Sequence, residues 1–287
     1  MNIKRFLILL SCLLFILTMT SCNDKQIGST TARLNIQNTP ELNTSKNSLA
    51  TNNPAASKAQ DILPTKSPTL TKPLSGLKIC IDAGHQGKGN SELEAVDSWS
   101  VPSTKKVKVS TGTQGISTGI PEYIVNLQIS LKLRDKLVAL GADVLMIRTT
   151  ADVNISNKER AIMGSEYNAD VVLRIHCNGS ATTSAKGIEL YTRGIGDGTA
   201  AYKKKSENDL KLAKELLTYL SASTGATGRG VFQSDEYTGT NWCTVPCIII
   251  ESGFMSNADE DKLLCSDAYQ EKLAEGITQW MLQSKII

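Results

Sequence analysis

Three short apolar runs, each closing on a polar residue and a turn, set the pattern of the chain. Leu77-Lys78-Ile79-Cys80-Ile81 leads into Asp82-Ala83-Gly84-His85, Val171-Val172-Leu173-Arg174-Ile175 ends in His176, and Val245 to Ile250 ends in Glu251-Ser252-Gly253. Runs of this length bounded by turn residues predict buried strands. Elsewhere the apolar spacing becomes helical. Pro121-Glu122 opens a helix to about Leu140, with an apolar stripe of Ile124, Leu127, Leu131 and Val138, widened by Val125, Ile129, Leu133 and Leu137 and stopped at Gly141. Val144 to Ile147 predicts another strand. Ser156 is placed to cap a helix that contains Arg160 and ends near Asn168. Gly187 to Tyr191 is strand-like, and helices are expected over Asn208 to Ser221 and about Asp267 to Gln283. The polar stretch from Gln86 to Ile120 reads as an excursion at one edge of the sheet. Strands alternating with helices predict an α/β fold, a largely parallel twisted sheet with helices on both faces.

The ends of the chain follow other rules. Residues 1–21 carry Lys4 and Arg5, then an apolar run from Phe6 to Met19, then small residues. That is the pattern of a secretory signal, with an apolar region short for a membrane span. The ending Met19-Thr20-Ser21-Cys22 resembles a bacterial lipobox, which implies cleavage before Cys22 and acylation of the new N-terminus. Residues 22–75 are dominated by Ser, Thr, Asn, Pro and Lys, with few aliphatic and no aromatic side chains. Such a segment buries too little apolar surface to offset its chain entropy and is expected to be a disordered tether. Residues 76–287, about 210 residues, are the size of one α/β catalytic domain. All of this places the domain outside the cytoplasm, anchored to a membrane and facing the cell wall.

Charge and cysteine content narrow the function. The formal charge of +3 includes Lys4 and Arg5, so the processed chain is near neutral and makes no electrostatic case for nucleic acid. Of seven cysteines, Cys12 leaves with the leader and Cys22 carries lipid; the remaining five form neither a zinc ribbon nor an even disulfide set.

Chemistry gathers at the ends of the apolar runs. The chain has two histidines, His85 and His176, and each ends a predicted strand. In open α/β sheets, ligands bind beyond the carboxyl ends of the strands. Two imidazoles and a carboxylate on one edge is the composition of a metal-hydrolase site. Zinc hydrolysis needs three protein ligands, an open position and a nearby base. Side chains alternate along a strand, so Arg174 and His176 share a face and Cys177 points away; Ile249 and Glu251 share a face opposite Ile248 and Ile250. Glu251 is forced onto the rim by its strand, and Glu122 sits at a helix start. Glu92, Glu94 and Asp82 compete on composition, and spacing does not eliminate them. Each residue also has a plainer reading. A strand-end histidine can bond a backbone group, and a glutamate at a helix N-terminus is favourable with the dipole. Arg148 and Arg160 read as structural ion-pair partners, and Asn178 and Asn257 as turn holders.

Ile79-Cys80-Ile81-Asp82-Ala83-Gly84-His85 resembles the first metal-binding turn of the zinc-dependent N-acetylmuramoyl-L-alanine amidases, amidase type 3. The resemblance continues through Pro121 to Leu127, Ile147 to Asp152 with Glu159-Arg160, Ile175 to Gly179, and Ile250 to Asn257. The blocks fall in family order across nearly all of residues 76–287. The resemblance implies zinc held by His85, Glu122 and His176, with Glu251 as catalytic glutamate. It implies a peptidoglycan hydrolase that cleaves the amide between N-acetylmuramic acid and the L-alanine of the stem peptide. The chain departs from the commoner family pattern in a longer segment between His85 and Glu122, and in Arg174, where a serine is frequent. Two rival readings are a catalytically silent zinc- or peptidoglycan-binding lipoprotein, and a cysteine-type amidase using Cys177 or Cys80 with a histidine. A zinc carboxypeptidase would want a His-x-x-Glu turn, and Lys88 stands three residues after His85.

Overall fold

The computed structural model describes residues 72–284. The leader, Cys22 and the tether as far as residue 71 lie outside the described residues. In chain order the elements are β1 (Lys78–Ala83), β2 (Asn90–Ala95), β3 (Lys105–Val109), α1 (Glu122–Ala139), β4 (Asp143–Met146), α2 (Asn157–Glu166) and β5 (Val171–Asn178). There follow β6 (Ile188–Arg193), α3 (Ala200–Thr224), β7 (Gly228–Ser234), the short α4 (Thr238–Asn241), β8 (Cys247–Phe254), α5 (Ala258–Leu264) and α6 (Asp267–Gln283).

Six strands form one sheet in the order β4-β1-β5-β8-β6-β7. Every pairing is parallel except β6 against β8. The central strands β1, β5 and β8 are covered on both sides, which is why they read as near-continuous apolar runs. Strict alternation sorts their side chains. Ile79, Ile81, Leu173, Ile175, Cys177, Ile248 and Ile250 face the layer of α1, α3 and α6 and form the main core. Cys80, Val172 and Cys247 face the other way and pack with Ala161 of α2 in a smaller cluster. Asp82, Arg174 and His176 follow the second set by the same alternation. The sheet's second face is therefore apolar at its N-terminal end and polar toward its C-terminal edge.

Helix α1 begins where expected, but its buried face is displaced. Val125, Ile129, Leu133 and Leu137 are fully buried, whereas Val138 is 48% exposed and Ile124, Leu127 and Leu131 are half-buried. Both stripes have helical spacing, and only the sheet's position decides between them. Helix α2 starts at a reciprocal capping box between Ser156 and Glu159. The polar excursion contains the antiparallel hairpin β2–β3, which the sequence does not announce because Leu93 and Val107 pair on it while remaining 59% and 45% exposed. Strand β7 and helices α4 and α5 lie outside the elements expected from the pattern, and α3 (Ala200–Thr224) runs longer than the expected Asn208 to Ser221. Leu74, on the tether side of the expected boundary, is buried, and its N–H donates to the Leu140 carbonyl at 3.0 Å.

Candidate metal centre

The β1 turn delivers His85 in a left-handed conformation, φ 59°. A non-glycine residue there costs of order 1–3 kcal/mol and persists only where its surroundings hold it. Two buried arginines do so. Arg148 donates to the carbonyls of Ala83 (2.7 Å), Gly84 (2.9 Å) and Tyr123 (2.8 Å). Arg160 donates to the carbonyls of Ala83 and His85, each at 3.1 Å, and to Asp82 at 2.6 Å. Arg160 is thus an ion-pair partner, as its sequence context suggested, while Arg148 bonds carbonyls. His85 Nδ1 lies 3.0 Å from the Ser110 carbonyl, which can only accept. The Ser110 hydroxyl lies 3.1 Å from the same nitrogen, so Ser110 holds the Nδ1 edge of the ring and leaves Nε2 facing the centre.

Glu122 is the first residue of α1, where a carboxylate suits the helix dipole. Its Oε2 accepts from the Thr113 N–H at 2.9 Å; its Oε1 accepts from Asn126 Nδ2 at 3.0 Å and the Cys177 N–H at 3.1 Å. His85 Nε2 and His176 Nδ1 each lie 3.3 Å from the same Oε1. Burial works to raise the Glu122 pKa, but hydrogen bonds to the two imidazoles outweigh it and hold the carboxyl well below the usual range. His176, on β5, meets His85 edge to face with ring centroids 4.8 Å apart. Burial pulls its pKa down to about 4, so the ring is neutral near pH 7. Close approach is built into the backbone: a Cβ on Gly84 would fall inside the His176 ring's contact distance, and one on Gly112 would lie 2.8 Å from His85 Cδ2.

Ligand-capable atoms of His85, Glu122 and His176 lie within 4.8 Å of one another. Two neutral nitrogens and one carboxylate oxygen suit a borderline divalent ion such as zinc. The structure thus brings these three residues together as a group able to hold a metal. The compositional competitors go elsewhere. Glu92 pairs with Lys108 at 2.6 Å on the hairpin, Glu94 accepts from the Lys158 N–H, and Asp82 is shared by Arg160 and Arg174.

Glu251 stands opposite His176 in the β5–β8 register, beside a break in that register. With His85 and His176 it lines a cavity of about 320 Å³ walled by the β2–β3 hairpin, the start of α2 and the segment around α4. Its Oε2 is buried without a hydrogen-bond partner among the described residues. Burial, with Glu122 and then Glu189 adding repulsion, pushes its pKa well above the usual carboxylate range. Cys177 lies on the opposite side of the sheet, and burial raises its thiol well above the usual range. Cys80 is fully buried in the smaller cluster and its thiol is likewise raised. Neither is placed as a nucleophile.

Asn126 and Ser110 touch the centre and are not singled out by the sequence analysis, while Asp82, a candidate ligand on composition, instead anchors Arg160 and Arg174. Asn126 follows Glu122 by one helical turn, a spacing that was legible; the link from Ser110 to His85 spans a loop with no periodicity. Asn178 bonds the following N–H and reaches Glu189 Oε2, and Asn257 caps α5, so both hold local structure as expected.

The fold and this cluster define a single α/β domain with a histidine–glutamate centre at the carboxyl edge of a mostly parallel sheet. The chain belongs to the Amidase_3 family, described as N-acetylmuramoyl-L-alanine amidase, which it matches over residues 79–283. It is 28% identical over 208 residues to N-acetylmuramoyl-L-alanine amidase LytC of Bacillus subtilis, a match spanning 72% of this chain and 35% of LytC. Protein YqiI of the same organism is 29% identical over 206 residues, covering 72% of this chain and 84% of YqiI. The crystal structure of an N-acetylmuramoyl-L-alanine amidase from Clostridium difficile 630 superposes with a TM-score of 0.59 at 27% identity, covering 72% of this chain and 95% of that one.

Proposed function

We propose that this chain hydrolyses the amide joining N-acetylmuramic acid to the L-alanine of the peptidoglycan stem peptide, with zinc as its metal. The observation that carries the reading is the convergence of His85 Nε2 and His176 Nδ1 on one Glu122 oxygen, each at 3.3 Å, in a chain of this amidase family. His85, Glu122 and His176 would hold the ion. When bound, zinc supplies Lewis-acid polarisation of a carbonyl and acidifies water.

The chain's own groups supply the rest. Glu251 takes a proton from the water that attacks the amide carbon, then gives it to the amine nitrogen as the C–N bond breaks. Its raised pKa makes it a strong base when ionised and a competent acid once protonated. Arg148 and Arg160 keep His85 in place, and Ser110 holds the Nδ1 edge of its ring. The products are a lactyl carboxylate and a peptide with a free L-alanine amine. The domain acts outside the cytoplasm in this reading, tethered through residues 23–71 from an acylated Cys22. Among the described residues no helix is long and apolar enough to cross a membrane.

Muropeptide analysis of digested sacculi, with and without a chelator, tests bond and metal together. The expected result is release of peptides with free L-alanine N-termini, lost on chelation and restored by zinc. Full activity in chelator, or cleavage at another bond, overturns the reading.

A further inference from the structure

The cavity has a cationic element that the catalytic cluster does not use. Arg174 stands two residues before His176 on the same face of β5, and its side chain is fixed at two of its three nitrogens. Nε donates to Asp82 Oδ2 at 2.9 Å, and Nη2 donates to Asn157 Oδ1 at 2.8 Å. Nη1 has no hydrogen-bond partner among the described residues. It is directed at Gly239, where any Cβ would collide with the guanidinium, and both residues line the cavity.

Glu251 lines the same cavity, but Asp82 is the one carboxylate within ion-pair distance of Arg174 among the described residues, and it does not meet Nη1. Asp82 is one carboxylate shared by two buried guanidiniums, Arg160 and Arg174. The other cation in the wall, Lys106, already meets Glu236 at 3.4 Å. A guanidinium held rigidly by two side chains with its last edge toward a cavity matches carboxylate geometry and loses little entropy on binding.

We propose that Arg174, through Nη1, anchors a carboxylate on the peptide side of the substrate and makes the enzyme selective for stems that carry it. The proposal rests on the peptidoglycan reading above. Spacing chooses the carboxylate: Arg174 stands two positions before His176, with Ile175 between them, about 6.6 Å along β5. An extended peptide covers about that distance in two residues. The group recognised is therefore the free α-carboxylate of the second stem residue.

The test compares two probes, muramyl-L-alanyl-D-glutamate and its α-amide, muramyl-L-alanyl-D-isoglutamine. Turnover is measured with the zinc-loaded full chain, and direct binding with Glu251→Gln, which separates recognition from chemistry. Wild type should favour the free acid by roughly tenfold or more in kcat/KM, as loss of a charge-assisted hydrogen bond implies. Arg174→Gln should collapse that ratio toward one while zinc content stays normal. Arg174→Lys, which keeps a positive charge beside Asp82 but lacks the guanidinium's second N–H edge, should reduce it too. Equal turnover and equal binding of the two probes by wild type overturn the proposal. So does a proportionate loss on both probes in the variants, since that is a purely structural role. If Glu251→Gln binds neither probe and wild type cleaves neither, the peptidoglycan reading itself has failed, and this one with it.

Discussion

Glu122 and Glu251 are glutamates beside His176 with opposite surroundings, and substitution should separate them. Glu122 accepts from Thr113, Asn126 and Cys177 through both oxygens, so Glu122→Gln points an amide donor at one of these donors as well as removing the charge. Zinc per chain should fall, and stability should drop by about 1–3 kcal/mol, the cost of a buried donor left unpaired. Glu251 has an oxygen with no partner, so Glu251→Gln should keep both fold and metal while turnover falls roughly 10²–10⁴-fold. Metal analysis beside steady-state kinetics distinguishes them. Equal zinc loss in the two variants would make Glu251 a ligand. His85→Ala and His176→Ala should each lose most of the metal.

At the scale of elements, the joint between β1, β5 and α2 is electrostatic where the rest of the interior is apolar. Burial works to raise the Asp82 pKa, but Arg160 and Arg174 override it and hold the carboxyl well below the usual range. A folded-state pKa below the unfolded value of about 3.9 means the stabilisation is present above that pH and lost as pH falls through the folded value. Asp82→Asn should cost about 3–5 kcal/mol at neutral pH by stranding two guanidiniums. It should also flatten the acid side of the stability profile, which denaturant unfolding at pH 7 and pH 3 will read. Helix α1 offers a second comparison on its two stripes. Leu133→Ala should cost about 2–5 kcal/mol from the core, whereas Val138→Ala, half out in solvent, should stay within about 0.5 kcal/mol.

For the whole molecule, the catalytic domain and its tether should be energetically separate. Deleting residues 23–71 removes none of the contacts described above, and the melting temperature of the remaining domain should be unchanged within about 2 °C. Extending the deletion through Leu74 should lower it, because Leu74 is in the core and bonds the end of α1. Mature protein should partition with membranes, and Cys22→Ala should release it or stall processing. A soluble wild-type protein that begins elsewhere than Cys22 would count against acylation.

The sequence by itself determined the sheet's central strands, their alternation and the position of each catalytic candidate at a strand or helix end. Period-two and helical patterns are local, and two histidines in the whole chain left little choice among imidazoles. The family resemblance then pointed to Glu122 as the proposed third ligand, which spacing alone had left open among Glu122, Glu251, Glu92, Glu94 and Asp82. Tertiary structure decided what depends on partners distant in the chain. It spent Asp82 on two arginines, paired Glu92 with Lys108 on the hairpin, gave Glu94 to the start of α2 and set both imidazoles 3.3 Å from one Glu122 oxygen. It chose which stripe of α1 faces the sheet, and it folded a polar excursion into a hairpin whose exposed pairs give no hydrophobic signal. Those outcomes rest on through-space distance and on which face a neighbour covers, and neither is encoded in the spacing of residues along the chain.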